Sequence, residues 1–181
     1  MNKRIFIQKK SQFDIHSQKV TKELQNLVSG ISCKVFVIYD LFEITDNQLE
    51  KTLFQVFADP VTDIVHQNLE EILANFEFRN SKFATEPLPG QYDQRADSAD
   101  QCLQLVGVIE AKVKSGYLYV FEGISESDLE KVKKYLINPI ESREKNLNEL
   151  VLNESTEIKP VRTIDGFLNF DSNQLENLHK E

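Results

Sequence analysis

The sequence repeats an ordered set of residue types at a spacing of 79 positions, and this repeat restricts the fold more than any other feature. The matching segments are Gln12-Phe13-Asp14 with Gln91-Tyr92-Asp93, Leu24-Gln25 with Leu103-Gln104, Phe42-Glu43 with Phe121-Glu122, and Asp59-Pro60 with Asn138-Pro139. A further match, Leu49-Glu50-Lys51 with Leu129-Glu130-Lys131, requires a single insertion. Such an ordered series indicates an internal repeat. We therefore predict two copies of one structural unit.

The first copy is predicted to contain a strand, a helix, a β segment and a second helix. Residues 4–8 favour a strand, and residues 14–29 favour a helix because their apolar side chains recur on one face and Gly30 follows. Residues 33–44 are rich in β-branched and aromatic types, which predicts either a hairpin bent at Tyr39-Asp40 or one long bent strand. Asp46 is the predicted cap of the second helix, which ends at Asp59-Pro60.

The second copy follows the same order. Residues 82–87 are predicted to form a strand and residues 98–108 a helix, with Ala99, Cys102, Leu103 and Val106 facing inward. The segments 108–114 and 117–122 are predicted to form a hairpin around Ser115-Gly116, because glycine tolerates the positive φ of a tight turn. A last helix begins at Ser125-Glu126-Ser127-Asp128, which resembles a capping box.

These elements predict an α+β fold of tandem β-α-β-β-α units that form a pseudo-dimer. The predicted first unit covers residues 1–60, a connector with a short helix over 69–74 covers 61–81, the second unit covers 82–144, and the start of a linker covers 145–181. A unit of about 60 residues exposes its strand edges when alone, so pairing with a second copy stabilises it. The sequence stops within a helix predicted to begin at Asp171 or Ser172, which leads us to expect a truncated piece of a longer protein.

Composition limits the cellular compartment and the kinds of binding partner that we expect for this protein. The net charge of −8 and the pI of about 5.0 argue against nucleic-acid binding, which requires clustered basic residues. No apolar run is long enough for a signal peptide or a membrane span, so we expect a cytoplasmic protein. Cys33 and Cys102 lie in apolar surroundings and are predicted to be buried, reduced thiols. The histidines His16, His66 and His179 show no ligand spacing, so no metal site is expected.

The most unusual stretch is a Pro-Gly turn followed by dense polar residues that lead into a helix. It reads Leu88-Pro89-Gly90-Gln91-Tyr92-Asp93-Gln94-Arg95-Ala96-Asp97-Ser98-Ala99-Asp100-Gln101-Cys102. In one interpretation, Arg95 and the helix start bind a carboxylate or a phosphate. In the other, the nearby acidic and hydroxyl side chains cap the helix and Arg95 pairs with them. The residues alone leave both interpretations open.

The first copy separates framework from added features in this stretch. It keeps the Gln-aromatic-Asp sequence but has Ile15-His16 where the second copy has Gln94-Arg95, and it lacks the Pro-Gly turn. The shared residues are therefore predicted to be structural, and the added polar group is specific to the second copy. No nucleophile elbow, P-loop or dinucleotide-binding glycine pattern occurs, so no catalytic residue is predicted.

The stretch over residues 88–102 closely resembles the N-terminal region of the phosphoribosylformylglycinamidine synthase family, also called formylglycinamide ribonucleotide amidotransferase or large-form PurL. Tyr135-Leu136-Ile137-Asn138-Pro139-Ile140-Glu141-Ser142-Arg143-Glu144 resembles the segment that closes this region, and Asp165-Gly166-Phe167 resembles the linker after it. In that family the front of the chain is similar to a fused pair of PurS units, the small subunit that works as a dimer in split enzymes. The resemblance thus implies the same kind of duplication as the repeat.

The resemblance implies a place in purine synthesis. In this family, ATP phosphorylates the formamide oxygen of formylglycinamide ribonucleotide, and ammonia from glutamine displaces the phosphate to leave an amidine. ATP and Mg²⁺ belong to the synthetase core, and glutamine belongs to a glutaminase domain. These 181 residues contain neither domain, so no cofactor is expected within them and the fragment alone is predicted to be inactive.

The implied role is structural: docking on the synthetase and glutaminase domains and helping to form the site and the ammonia route. The resemblance places six residues at that interface or near the substrate, with Arg95 the strongest candidate for contact: Gln91, Asp93, Gln94, Arg95, Asp97 and Ser98. One alternative is a free-standing PurS-like interaction or regulatory module. An independent enzyme that uses Asp93, Arg95 and Asp97 is disfavoured, since it lacks a nucleophile or base in a recognisable arrangement.

Overall fold

A computed structural model of the chain describes residues 1–74, 81–152, 167 and 170–172. Over these residues the chain has an α+β fold, with five α-helices and one six-stranded antiparallel sheet. The strands are β1 (Lys3–Lys9), β2 (Ser32–Phe42), β3 (Asp63–His66), β4 (Lys82–Pro87), β5 (Lys112–Glu122) and β6 (Ser142–Glu144). The helices are α1 (Ile15–Leu24), α2 (Asp46–Thr52), α3 (Leu69–Leu73), α4 (Gln94–Leu105) and α5 (Glu126–Leu136). A π-helical turn, Leu53–Phe57, continues α2.

The strands lie in the order β3-β1-β2-β5-β4-β6. The two central strands are each 11 residues long and pair along their whole length, from Ser32 opposite Glu122 to Phe42 opposite Lys112. The short strands β3 and β6 form the edges. A long central pair therefore joins the two halves of the chain into one continuous sheet.

The two β segments for which the sequence suggested a hairpin are each a single strand in the structure. For residues 33–44, the alternative of one long strand is confirmed, because β2 runs through Tyr39 and Asp40 without a turn. The hairpin predicted around Ser115-Gly116 is wrong, since both residues lie inside β5. A side chain at position 116 would collide with the carbonyl oxygen of Thr85 in β4, so glycine is needed there for close backbone approach. The predicted β-α-β-β-α order is accordingly β-α-β-α-β in each half.

Local capping fixes where the helices start. The Asp14 carboxylate accepts a hydrogen bond from the Ser17 N–H at 3.1 Å, and the Asp93 carboxylate accepts one from the Ala96 N–H at 3.0 Å. Because Asp93 is the cap, α4 begins four residues before the predicted start at 98. The predicted cap Asp46 is instead the first residue of α2, which Thr45 caps through a capping box.

Other helix boundaries follow the predictions more closely. The short helix expected over 69–74 is confirmed as α3, and Ser125 caps α5 as expected. The first helix, expected over 14–29, ends already at Leu24. The final helix expected after Asp171 or Ser172, and Asp165-Gly166 of the linker motif, lie outside the described residues.

Four helices cover one face of the sheet. Odd-numbered residues of β2 point to this face, where α2 and α4 pack over Tyr39 and Leu41, while α1 and α5 pack over Cys33 and Val35. Each apolar cluster contains residues from both halves of the chain. Cys33 is buried as predicted, and in α4 Ala99 and Leu103 are buried as predicted. Cys102 and Val106 are exposed, so their predicted inward orientation is wrong.

The opposite face is covered by α3 and by the chain that follows β6. Its apolar part includes Phe36 and Ile38 of β2, with Ile72 of α3 fully buried against them. Among the described residues, no helix combines the length and the apolar character needed to cross a lipid bilayer.

A network of buried charges lies next to this apolar part. The Asp40 carboxylate accepts hydrogen bonds from Arg4 at 2.5 and 2.9 Å and pairs with the Lys145 ammonium at 2.8 Å. Lys145 also bonds Glu86 at 2.6 Å, and Arg143 bonds the same carboxylate at 2.7 Å. The Arg4 guanidinium further donates to the carbonyl oxygens of Leu147 and Glu149. These contacts hold the segment after β6 against the sheet.

Candidate functional site

A cavity of about 740 Å³ lies between α4, α5 and the central part of the sheet. Strand β5 and the end of β4 contribute one side of it, and the first half of α4 contributes another. Leu136 at the end of α5 and the following residues Glu141 and Ser142 complete the lining. The unusual stretch identified in the sequence supplies most of the α4 side: Tyr92, Asp93, Gln94, Arg95, Ser98, Ala99 and Cys102.

Four of the six predicted site residues, namely Asp93, Gln94, Arg95 and Ser98, line this cavity. The other two point elsewhere. The Gln91 side-chain amide donates to the carbonyl oxygen of Ile140 at 3.2 Å. The Asp97 carboxylate accepts from the Tyr92 hydroxyl at 2.8 Å and from the Gln101 amide at 2.7 Å. These two residues therefore stabilise the loop and the first turns of α4.

Asp93 links the helix to the sheet. One carboxylate oxygen accepts from the Ala96 N–H and from the Ser115 hydroxyl at 2.8 Å, and the other accepts from the Ser115 N–H at 2.8 Å. These hydrogen bonds join the start of α4 to β5. The Ser98 hydroxyl donates to the Gln94 carbonyl oxygen at 2.8 Å, one turn earlier in the helix.

Arg95 is a cation that lines the cavity without a carboxylate partner among the described residues. Its side chain is exposed, and its guanidinium donates a hydrogen bond to the Tyr117 hydroxyl at 3.2 Å. The guanidinium carbon lies 5.7 Å from the centre of the Tyr117 ring. Partial desolvation disfavours the cation, but the neighbouring Tyr39 and Tyr117 outweigh this effect and raise the pKa of Arg95 above its usual value.

The interpretation in which Arg95 pairs with the capping carboxylates is wrong. Asp93 and Asp97 are occupied by other donors, and within the described part of the chain no carboxylate forms an ion pair with Arg95. The hydrogen bond to the Tyr117 hydroxyl is to a neutral group and does not compensate the positive charge of Arg95. The cavity therefore carries a local positive charge beside α4.

His16 contacts the same tyrosine from the first half of the chain. Its ring meets the Tyr117 ring edge-on, with the centroids 5.3 Å apart. Burial lowers the pKa of His16, and the nearby Arg95 charge lowers it further, while Asp14 acts in the opposite direction. His16 and Arg95, which correspond in the repeat, thus meet at Tyr117.

The sequence reasoning missed the tyrosines that line the cavity. Tyr39, Tyr117 and Tyr119 belong to strands, where the pattern predicted only a packed apolar face. The available signal was the placement of Tyr at alternate strand positions, since a buried phenol needs a partner for its hydroxyl. Burial raises the pKa of Tyr119 to about 12, so its hydroxyl stays protonated at neutral pH.

The arrangement is suited to binding an anion. Arg95 and the hydroxyls of Tyr39 and Tyr117 are hydrogen-bond donors, and the Glu86 carboxylate in the lining is already held by Arg143 and Lys145. In the part of the chain that the structure describes, no group of three His, Cys, Asp or Glu side chains has the placement of a metal site. In comparisons with known proteins, no family model matches the chain and no curated protein matches it significantly.

Proposed function

We propose that this chain is the N-terminal structural domain of a phosphoribosylformylglycinamidine synthase, built from two PurS-like units. The observation that carries the proposal is the stretch over residues 88–102, which resembles that family and also lines one side of the cavity. Both the capping framework and the cation of this stretch have definite places in the fold. In this proposal the protein is cytoplasmic, like the pathway it serves.

The arrangement of the strands supports the duplication that the proposal includes. The strands β1, β2 and β3 of the first half correspond in order to β4, β5 and β6 of the second. With this correspondence, the sheet order β3-β1-β2-β5-β4-β6 is the same when it is followed from either edge. Val37 faces Tyr117, and the positions equivalent to them, Gly116 and Ile38, face each other in the next pair. Two copies related by a two-fold axis between β2 and β5 produce this register.

The proposed role is to dock on the synthetase core of the same enzyme and to help enclose its substrate site and the route for ammonia. The core and the glutaminase domain supply the sites for formylglycinamide ribonucleotide, ATP, Mg²⁺ and glutamine. Ammonia must pass between the two sites without loss to water, so a rigid domain that seals the path has a direct effect on coupling. Arg95 faces the partner domains or the substrate in this proposal.

The proposal is tested with the protein that the gene encodes. We expect its reading frame to continue past Glu181 into a synthetase core, whereas a stop codon there would favour a free-standing interaction module. We expect no amidine formation by residues 1–181 alone when ATP, Mg²⁺, glutamine and formylglycinamide ribonucleotide are supplied. Removal of residues 1–144 from the full-length enzyme should abolish glutamine-dependent synthesis, and adding the separate chain should restore part of it.

Two results would contradict this proposal. Turnover by the isolated chain would show that it is an enzyme in its own right. Full activity of the enzyme without residues 1–144 would show that the domain has no part in the site or in ammonia transfer. Restoration of activity by the separate chain is the control, because it separates loss of this domain from general loss of folding.

A further inference from the structure

The cavity beside α4 is formed wholly by this chain, and we propose that it binds a small ligand with a carboxylate or phosphate group and an aromatic body. Arg95 holds the oxyanion, and the tyrosines surround the aromatic part. The inference goes beyond docking and does not depend on the assignment to the amidotransferase family. It depends only on residues whose contacts are described above.

The first argument is the charge of the cavity lining. Three carboxylates accompany Arg95 there: Glu86 is held by Arg143 and Lys145, Asp93 is held by Ser115 and the start of α4, and Glu141 is exposed to solvent. Arg95 has no carboxylate partner among the described residues, so an anionic ligand would gain a charge-assisted hydrogen bond from it. Since Asp93 already caps α4, the anion is bound by the Arg95 side chain and not by the helix N-terminus.

The second argument is the direction of the hydrogen bonds. The Tyr117 hydroxyl oxygen accepts from Arg95, which leaves the proton of that hydroxyl for a further acceptor. Among the described residues, no side chain or carbonyl oxygen accepts this proton. The Arg95 guanidinium and the Tyr117 hydroxyl are therefore neighbouring donors in the cavity lining. A carboxylate or phosphate group satisfies both donors at once.

The third argument is the size and the aromatic content of the cavity. Its volume of about 740 Å³ falls within the range of about 300–1,000 Å³ that is usual for small-molecule sites. Four of the five tyrosines in the chain line it: Tyr39, Tyr92, Tyr117 and Tyr119. Ala99 and Leu136 add apolar surface. Aromatic rings next to a cation favour a ligand that joins a planar apolar body to an anionic group.

Phenyl phosphate is the probe for this site in the 181-residue chain. The chain has no tryptophan, so its fluorescence comes from tyrosines, most of which line the cavity. We expect a saturable change in tyrosine emission, and the same dissociation constant by titration calorimetry. Arg95→Gln should weaken binding at least about 10-fold through loss of a charge-assisted contact. Lys51→Gln, which removes an exposed cation of α2, should leave the affinity unchanged.

Further arms test each part of the ligand. Inorganic phosphate should bind at least about 10-fold more weakly than phenyl phosphate, because it lacks the ring. Tyr117→Phe keeps the ring but removes one donor, and it should weaken phenyl phosphate about 3- to 10-fold. Circular dichroism shows whether Arg95→Gln folds. If it does not fold, the affinity of Tyr117→Phe for phenyl phosphate tests whether the ligand binds in this cavity.

Three outcomes would overturn the inference. The first is the absence of saturation by phenyl phosphate at concentrations up to about 10 mM. The second is an affinity that neither Arg95→Gln nor Tyr117→Phe changes, because binding would then lie elsewhere. The third is equal affinity for inorganic phosphate and phenyl phosphate, which would remove the aromatic part of the ligand class.

Discussion

Asp40 shows how a single residue can anchor distant parts of the chain. It lies in the middle of the sheet and is 1% exposed. Its carboxylate forms ion pairs with Arg4 of β1 and with Lys145 of the segment after β6. A buried carboxylate is stable only when opposite charges and hydrogen bonds replace water. Lys145 also lies beside Gly116, where a Cβ would be 3.4 Å from the Lys145 Cδ, which is van der Waals contact distance.

We predict that Asp40→Asn lowers the free energy of unfolding by about 3–5 kcal/mol, because it leaves Arg4 and Lys145 buried against a neutral amide. Lys145→Gln should lower it less, by about 1–3 kcal/mol, since Asp40 keeps Arg4 and Glu86 keeps Arg143. Urea denaturation of both variants measures the difference. A larger loss for Lys145→Gln than for Asp40→Asn would show that the carboxylate is not the centre of the network.

Among the elements, β5 departs most from its sequence pattern. Ser115-Gly116 has the composition of a turn, yet both residues lie in the middle of the strand and pair with Tyr39 and Ile38. Ser115 also donates two hydrogen bonds to the carboxylate of the cap Asp93, so the strand and the start of α4 stabilise each other. Continuity of β5 is what allows the long pairing with β2 and the cavity beside it.

Gly116→Ala should destabilise the protein by about 1–3 kcal/mol, because the added methyl group collides with backbone in β4. Gly107→Ala is the matched control. Gly107 has a φ of +86° but open space around its Cβ position, so alanine there should cost only about 1 kcal/mol of backbone strain. Thermal unfolding compares the two variants. If Gly116→Ala were neutral, the close approach of β4 and β5 would not constrain this position.

At the scale of the whole molecule, the two halves of the chain contribute side chains to the same apolar clusters. One apolar cluster joins Val20 and Leu24 of α1 to Phe121 and Val132 of the second half, and the other joins Ile5 and Leu41 to Leu103. One edge of β2 pairs with β1, and the other pairs along its whole length with β5 of the second half. Either half alone would therefore expose an unpaired strand and half of two apolar clusters.

We expect residues 1–74 expressed alone to fold only as a dimer, in which β2 of one copy takes the place of β5 for the other. Analytical ultracentrifugation and circular dichroism should show helical signal that appears together with the dimer as concentration rises. The complete chain, as the control, should keep its signal on dilution. A stably folded monomer of residues 1–74 would mean that the halves are independent domains.

Much of the local structure follows from the sequence because its causes are local. The strand β4 matches its predicted range, and Ser125 caps α5 as predicted, through a side-chain bond that spans three residues. Apolar periodicity likewise identified Leu103 and Ala99 as buried. These features depend on spacing along one element, which a sequence displays directly.

The sequence by itself determined an α+β chain and an unusual polar stretch before α4. Only the tertiary structure decided that Ser115-Gly116 is strand and not turn, that Cys102 faces the cavity and not the core, and that Arg95 bonds Tyr117 and not the nearby acids. The physical reason is that each outcome depends on groups from strands far away in the chain, whose approach sets the available space and the remaining hydrogen-bond partners.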